Sequence, residues 1–398
     1  MQLTYHENPH ALHVGTMPNR SYYVPCASEE EALQRERTAS SRLQLLSGTW
    51  AFRYFDSVLD LPEDIFAQPL CTDPIPVPAV WQNHGYDRHQ YTNVRFPFPY
   101  DPPYVPAENP CGLYERQFEV PDDGMRRYLN FEGVDSCMYV WVNRRFVGYS
   151  QVAHSTSEFD ITDFTAPGMN TLTVLVLKWC DGSYFEDQDK LRTSGIFRDV
   201  YILRRPFGHL RDYFVHTAPV EGGAWDVRVE TEWLGEAGVV KAVLRDAGGR
   251  EVARGDSAAG MIELRVEKPT LWNAENPYLY TLLLFAGDEV IRERVGLRRI
   301  CIEHEVVYIN GQAVKFRGTN RHDSDPVLGP AVGVPEMVRD LTIMKQHNIN
   351  AIRTSHYPNS PLFPRMCDHY GFYLIGEADL ECHGVVFRDG DYSEANYN

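Results

Sequence analysis

Four ionisable side chains stand where hydrophobic runs give out. His322 follows the run that starts at Val314, His356 follows the run from Ile349, and Glu381 and His383 follow the run from Phe372. Imidazoles and carboxylates can move protons, ligate a cation or hydrogen-bond a hydroxyl-rich ligand. A single buried histidine is commonly a satisfied core group. Four ionisable groups at three successive run ends instead carry a desolvation cost that a ligand or ion would offset, and Val or Leu would serve packing better there.

The segments between these runs read as helices. Pro335-Glu336 opens the first, with Met337, Leu341 and Met344 at the spacing of one buried face. The second is capped by Ser360, has Pro361 at its first position and Leu362, Met366 and Tyr370 on its apolar face, and stops at Gly371. Strand, helix, strand, helix, strand is the texture of a (β/α) barrel, whose strand carboxyl ends converge on one face and carry its chemistry.

The chain has 398 residues, 43% of them hydrophobic and 12% aromatic, enough for two to four domains with real cores. Its 38 Lys and Arg against 55 Asp and Glu give a net charge of −17, which disfavours nucleic acid as a partner. The eight cysteines form no CxxC pairs, as expected of reduced thiols. No stretch approaches bilayer length and the first residues do not read as a leader, so no membrane partner and a cytoplasmic location are expected.

Residues 1–42 read as an N-terminal arm lying over the surface, with a short helix near Glu29 to Arg35 whose charges form a solvated face. Residues 43–205 alternate short strands with Pro-rich loops, the pattern of a jelly-roll-like β-sandwich. Thr171 to Lys178 is apolar on both faces and belongs in the middle of it. Two of its loops stand out. Val80 to Pro110 mixes aromatics and amides between prolines, which suits either stacking on a sugar or covering the core. Glu186, Asp187 and Asp189 repel one another unless a cation, a hydroxyl-rich ligand or solvent relieves them. Residues 206–304 read as hairpins of an immunoglobulin-like β-sandwich acting as a spacer, with Val227, Val229 and Thr231 on one face and turns at Asp246 to Gly249 and at Gly287-Asp288. Residues 305–398 hold the first three βα units of a (β/α)8 TIM barrel, so the fold class is multidomain β plus α/β.

Asn320-Arg321-His322, Arg353 to Asn359 and Glu377 to Gly384 resemble glycoside hydrolase family 2, and within it the large β-galactosidases. So do Tyr91 to Val94, Pro102 to Pro110, Asp181 to Asp189, Ser194 to Asp199 and Leu271 to Pro277, and the Asp181 to Asp189 run favours that branch over the glucuronidases and mannosidases. The resemblance implies retaining hydrolysis of terminal β-D-galactose in β-galactosides such as lactose, by a protein expected to be a homo-oligomer when complete. It implies that Asn93, Asp189, His322 and His356 bind the sugar. It also implies that Glu381 and His383 ligate a catalytic magnesium (Mg2+) and that Asp189 helps hold a sodium (Na+). The sequence departs from the best-known members at Gly376, Asp379 and Asp323-Ser324-Asp325.

Retaining glycosidases need two carboxylates about 5–5.5 Å apart. In the family both come from later barrel strands, the acid/base glutamate after an asparagine, and no Asn-Glu pair follows His383. The expectation is therefore an N-terminal portion without its catalytic glutamates and inactive alone. A non-catalytic galactoside-binding module is the alternative. A metal-dependent hydrolase using His322, His356, Glu381 and His383 is a weaker one.

Overall fold

The structure, a computed structural model, describes residues 3–67 and 69–386. Its first body is built from two antiparallel layers. The larger sheet runs, in spatial order, His13–Val14, Arg145–Ser150, Cys137–Val142, Gly168–Leu177, Cys111–Val120, Gly48–Phe55 and Asp73–Val77. The smaller runs Ser157–Asp160, Arg126–Phe131, Val200–Arg205 and Leu43–Leu45. Strand Gly168–Leu177 is central, as its two apolar faces require: Leu172, Val174 and Val176 point into the core between the sheets, while Leu175 and Leu177 join a second cluster on the outer face.

The arm is anchored more deeply than a segment lying over the surface. His13 and Val14 extend the larger sheet, and Tyr23 is fully buried in the core of the second body. Helix Glu29–Leu33 is capped by Ser28, but its charges are fasteners more than a solvated face. Glu29 pairs with Arg245 at 2.6 Å, and Glu31 accepts hydrogen bonds from Ala27 N and from Ser41 N and Oγ.

The second body has sheets His209–Pro219, Trp225–Leu234, Met261–Val266 and Glu251–Ser257, Val240–Arg245, Tyr280–Ala286, Glu289–Val295. Val227 and Val229 lie in its core and Thr231 is half-buried on the same face. A small antiparallel sheet, Ile300–Glu303, Val306–Ile309 and Gln312–Ala313, leads out of it.

Next come three parallel strands, Gly318–Asn320, Ala351–Arg353 and Tyr373–Ile375, in register Gly318 to Ala351 to Tyr373. Helices Val334–Gln346 and Leu362–Tyr370 connect them. The first helix buries Met337 and Leu341 and the second ends at Gly371 with φ 78°. The second helix turns its face one position from the expectation. Phe363 and Cys367 are buried, whereas Leu362, Met366 and Tyr370 flank them half-buried, because the bulkier phenyl ring takes the centre of the contact with Ile352 and Leu341. Ser360 Oγ only weakly caps this helix, accepting from Leu362 N at 3.5 Å, and Pro361 is the helix-terminal residue.

The third run differs most. The chain leaves the parallel sheet at Ile375, and Glu381–Cys382 forms a separate short strand, parallel to Glu186–Asp187 of the first body. Glu381 and His383 therefore do not prolong the third parallel strand.

Candidate functional site

Asp189 and His322 line one cavity of about 260 Å³, between the first body and the parallel-strand segment, together with Tyr91, His154, Lys190 and Tyr357. Strand Gln90–Thr92 pairs with Lys190–Arg192, which sets Tyr91 beside Asp189: the phenol donates to Asp189 Oδ1 at 2.5 Å. His322 lies two residues past its strand and its Nδ1 is 3.3 Å from the Tyr357 hydroxyl. His356 stands edge-on to His322, ring centres 5.3 Å apart, and its Nδ1 is 3.3 Å from Glu377 Oε2. Arg353 holds the other Glu377 oxygen. Burial and the neighbouring His356 pull the His322 pKa below the usual imidazole value, with Asp189 opposing, which keeps His322 neutral and able to both donate and accept.

Asn93, Glu381 and His383 group elsewhere. Glu381 Oε1 lies 2.9 Å from His383 Nε2, and His383 Nδ1 lies 3.2 Å from the Asn93 carbonyl oxygen. A carbonyl only accepts, so Nδ1 carries a proton and a neutral ring turns its Nε2 lone pair toward a carboxylate oxygen. Two acceptors that close call for a proton or a cation between them. Such a donor pair, oriented from behind by a backbone carbonyl, fits a divalent cation that completes its shell with other oxygens. For sodium, Asp189 offers one carboxylate already engaged by Tyr91. Segment 91–93 thus touches both groups, through Tyr91 and through the Asn93 carbonyl.

Buried protein partners relieve the repulsion at two of the three carboxylates of the acidic loop. Asp187 is fully buried, pairs with Arg192 at 2.5 Å and accepts from Gly384 N at 2.8 Å. Glu186 accepts from Ala153 N at 3.2 Å. Burial, and after it the charge of Asp379, pushes the Glu186 carboxyl well above the carboxylate range. Only Asp189 faces the cavity. Along Val80 to Pro110 the core-covering alternative holds for Trp81, buried against Phe52, and for Phe96 and Phe98, which pack on Tyr184. Tyr91, Tyr100 and Tyr104 stay exposed.

Residues that the sequence reading passed over make up much of the cavity wall. His154 stacks on Tyr357 with ring centres 4.0 Å apart, and its Nδ1 meets Asp379 at 2.9 Å. Burial opposes ionisation of Asp379, but the His154 ring and backbone N–H and the nearby Lys190 charge hold it below the usual carboxylate range. Ligand atoms of His154, Glu186 and Asp379 lie within 4.8 Å of one another. The Lys190 ammonium, 3.5 Å from His154 Nε2, supplies the positive charge there. Tyr357 follows His356 directly and could have been found from that adjacency. His154 carries no local signal.

The two sandwiches, the parallel βα segment and a cavity walled by histidines, carboxylates and aromatics define a multidomain β plus α/β protein with a polar cleft between its bodies. Family models for glycosyl hydrolases family 2 match in the same order: the sugar binding domain at residues 43–206, the family 2 domain at 209–298 and the TIM barrel domain at 300–398. A β-galactosidase of Actinobacillus pleuropneumoniae is 49% identical over 96% of this chain and 38% of its own length, and one of Staphylococcus xylosus is 45% identical over 99% and 40%. The chain thus spans about two fifths of the length of these curated relatives. Among solved structures, a β-glucuronidase from an uncultured Clostridium superposes with TM-score 0.71 at 24% identity, over 85% of this chain and 59% of that one. A Ruminococcus gnavus β-glucuronidase with D-glucuronic acid gives TM-score 0.71 at 24% identity, over 86% and 60%. The chain belongs to glycosyl hydrolases family 2. Among the described residues no helix is long and apolar enough to cross a membrane.

Proposed function

We propose that this chain supplies the galactose-recognising part of a retaining β-galactosidase. The observation that carries the reading is the meeting of Asp189 from one body and His322 from another on a single cavity. A carboxylate beside a neutral imidazole offers acceptors and a donor to adjacent sugar hydroxyls, and the aromatic face of Tyr91 suits the apolar face of a pyranose. His356 backs His322, with Glu377 fixing its ring.

Glu381 and His383 would hold the magnesium, whose chemistry when bound is electrostatic stabilisation of negative charge near the sugar. Asn93 orients His383 through its carbonyl. A sodium at Asp189 rests on the family resemblance.

Around the end of the third parallel strand, Glu377 is engaged by Arg353 and His356, Asp379 by His154 and Gln188, and Glu381 by His383. None of these three lines the cavity, where the double displacement would need two carboxylates flanking the glycosidic bond. The 398-residue chain should therefore bind a β-galactoside weakly without hydrolysing it.

Titration with a non-hydrolysable thiogalactoside, followed by calorimetry or ligand-detected NMR, tests this. Binding should weaken at least about tenfold in His322→Ala and in Asp189→Ala, as expected when a hydrogen-bonding group of a sugar site is left unpaired. Equal affinity for a glucuronide, or binding indifferent to both substitutions, would refute the reading. Turnover of a chromogenic β-galactoside by this chain would refute the statement about its carboxylates.

A further inference from the structure

Glu381 and His383 are two residues apart. In an uninterrupted strand such residues share a face at a separation of about 6.6 Å along the backbone, so facing each other at one ion requires a turn. The turn is present: Glu381–Cys382 is extended and His383 begins a helical turn, His383–Val386, which brings Oε1 and Nε2 to 2.9 Å. What shapes it comes from the first body. Glu381 N donates to Phe185 O at 2.7 Å, and Glu381 and Cys382 run parallel to Glu186 and Asp187. Gly384 N donates to Asp187 Oδ2 at 2.8 Å.

Asp187 is itself pinned. It is fully buried, and its other oxygen takes Arg192 Nη2 at 2.5 Å. The turn also has no slack: a Cβ at Gly384 would lie 2.6 Å from Phe96 Cε2 and 2.9 Å from Asp187 Oδ2. The glycine is required here by close approach, since its φ lies outside the left-handed region. Before the turn, Asp379 accepts from His154 N at 2.9 Å and Gln188 Nε2 at 2.9 Å, so both ends of segment 379–384 are tied to the same body.

We infer that Asp187, by holding Gly384 N–H while paired with Arg192, is a positioning residue that sets the turn presenting Glu381 and His383 to one divalent cation. The inference rests on the proposed magnesium role of that pair. Asp187 touches neither the ion nor the sugar in this assignment. The sugar-binding sandwich thereby builds part of the barrel's metal site.

The test uses the full chain with Mn2+ as probe, free ion being counted by electron paramagnetic resonance, alongside amide hydrogen exchange. Asp187→Ala should speed exchange in peptide 379–386 about tenfold and weaken Mn2+ binding about tenfold or more, the usual scale for a group that orients a metal ligand. Exchange in strand Gly168–Leu177 should not change. Gly384→Ala should act in the same direction from the other side of the contact. Asp187→Asn, which keeps an oxygen for the Gly384 N–H, should restore most of both properties; behaviour like the alanine variant overturns the inference. So does unchanged exchange in Asp187→Ala and Gly384→Ala, or faster exchange with unaltered Mn2+ affinity. Glu381→Gln should abolish Mn2+ binding and leave exchange intact. Mn2+ binding that survives Glu381→Gln, or is absent from the parent chain, sinks the magnesium reading, and the exchange comparison then decides by itself whether Asp187 holds the turn.

Discussion

Asp323 shows how an ionisable residue beside a site can belong to the scaffold. It directly follows His322, yet it is 1% exposed, takes Arg321 and Arg198 as ion-pair partners and accepts from Ser360 N at 3.0 Å. Burial by itself would raise its pKa, but the two guanidinium groups hold it below the usual carboxylate range. Arg198 comes from the first body, so Asp323 is a buried tie between that body and the parallel strands. Asp323→Ala leaves the buried Arg198 guanidinium without a carboxylate partner and Arg321 with Asp340 alone, and should cost about 3–5 kcal/mol, whereas Ser324→Ala, at an exposed position, should stay within about 0.5 kcal/mol. Urea unfolding of the two variants measures the contrast, and similar midpoints would contradict it. His322 and His356 were legible in the sequence because each closes a hydrophobic run, a pattern confined to a few residues. The pairing of His154 with Asp379 was not, because 225 residues separate them and neither sits in a periodic segment.

Elements were legible where one physical signal sufficed. Helix Leu362–Tyr370 was bounded by a glycine that the structure places in the left-handed region, and strand Gly168–Leu177 was placed centrally by apolar residues on both faces. Glu381 was misplaced for the converse reason. A run that starts as a strand says nothing about where the chain leaves the sheet, and here the departure at Ile375 is dictated by partners on another body. Gly371 and Gly376 make the element-scale prediction. At Gly371, φ is 78° and an added Cβ would lie 2.4 Å from the Ala274 carbonyl oxygen, so Gly371→Ala combines about 1–2 kcal/mol of backbone strain with displacement of the segment it packs on. At Gly376 nothing lies within 4 Å of an added Cβ and φ is outside the left-handed region, so Gly376→Ala should be neutral or slightly stabilising. Thermal melts of the pair should differ by several degrees; coincident melts would show that the helix stop is not set by this glycine.

Across the whole molecule the bodies are joined by buried charge and by the arm. Arg205 pairs with Glu289 at 2.6 Å and donates to the Tyr23 hydroxyl at 2.6 Å; Arg365 of the second long helix bonds Tyr22 O and pairs with Glu293. At the same junction His209, 1% exposed, faces the Tyr128 ring at 5.4 Å and donates from Nδ1 to the Pro206 carbonyl at 2.7 Å. Burial first, then the charges of Arg205 and Arg211, lowers its pKa to about 3 from 6.5. Above pH 6.5 the folded and unfolded chains both carry it neutral and it adds no pH dependence. As pH falls from 6.5 toward 3 the unfolded chain takes up a proton that the folded chain refuses, so stability is lost across that window, at up to about 1.4 kcal/mol per pH unit from this one group. His209→Asn removes the proton site while keeping a side-chain donor of similar reach for Pro206. Its stability at pH 7 should change little compared with its response to acid. Between pH 6 and pH 4 its unfolding free energy, from urea curves at a series of pH values, should fall less steeply than that of the parent chain by nearly one proton. Parallel slopes for the two proteins would mean that the junction accepts a charged His209, and that the acid sensitivity of the interface between the two sandwiches arises from its carboxylates instead.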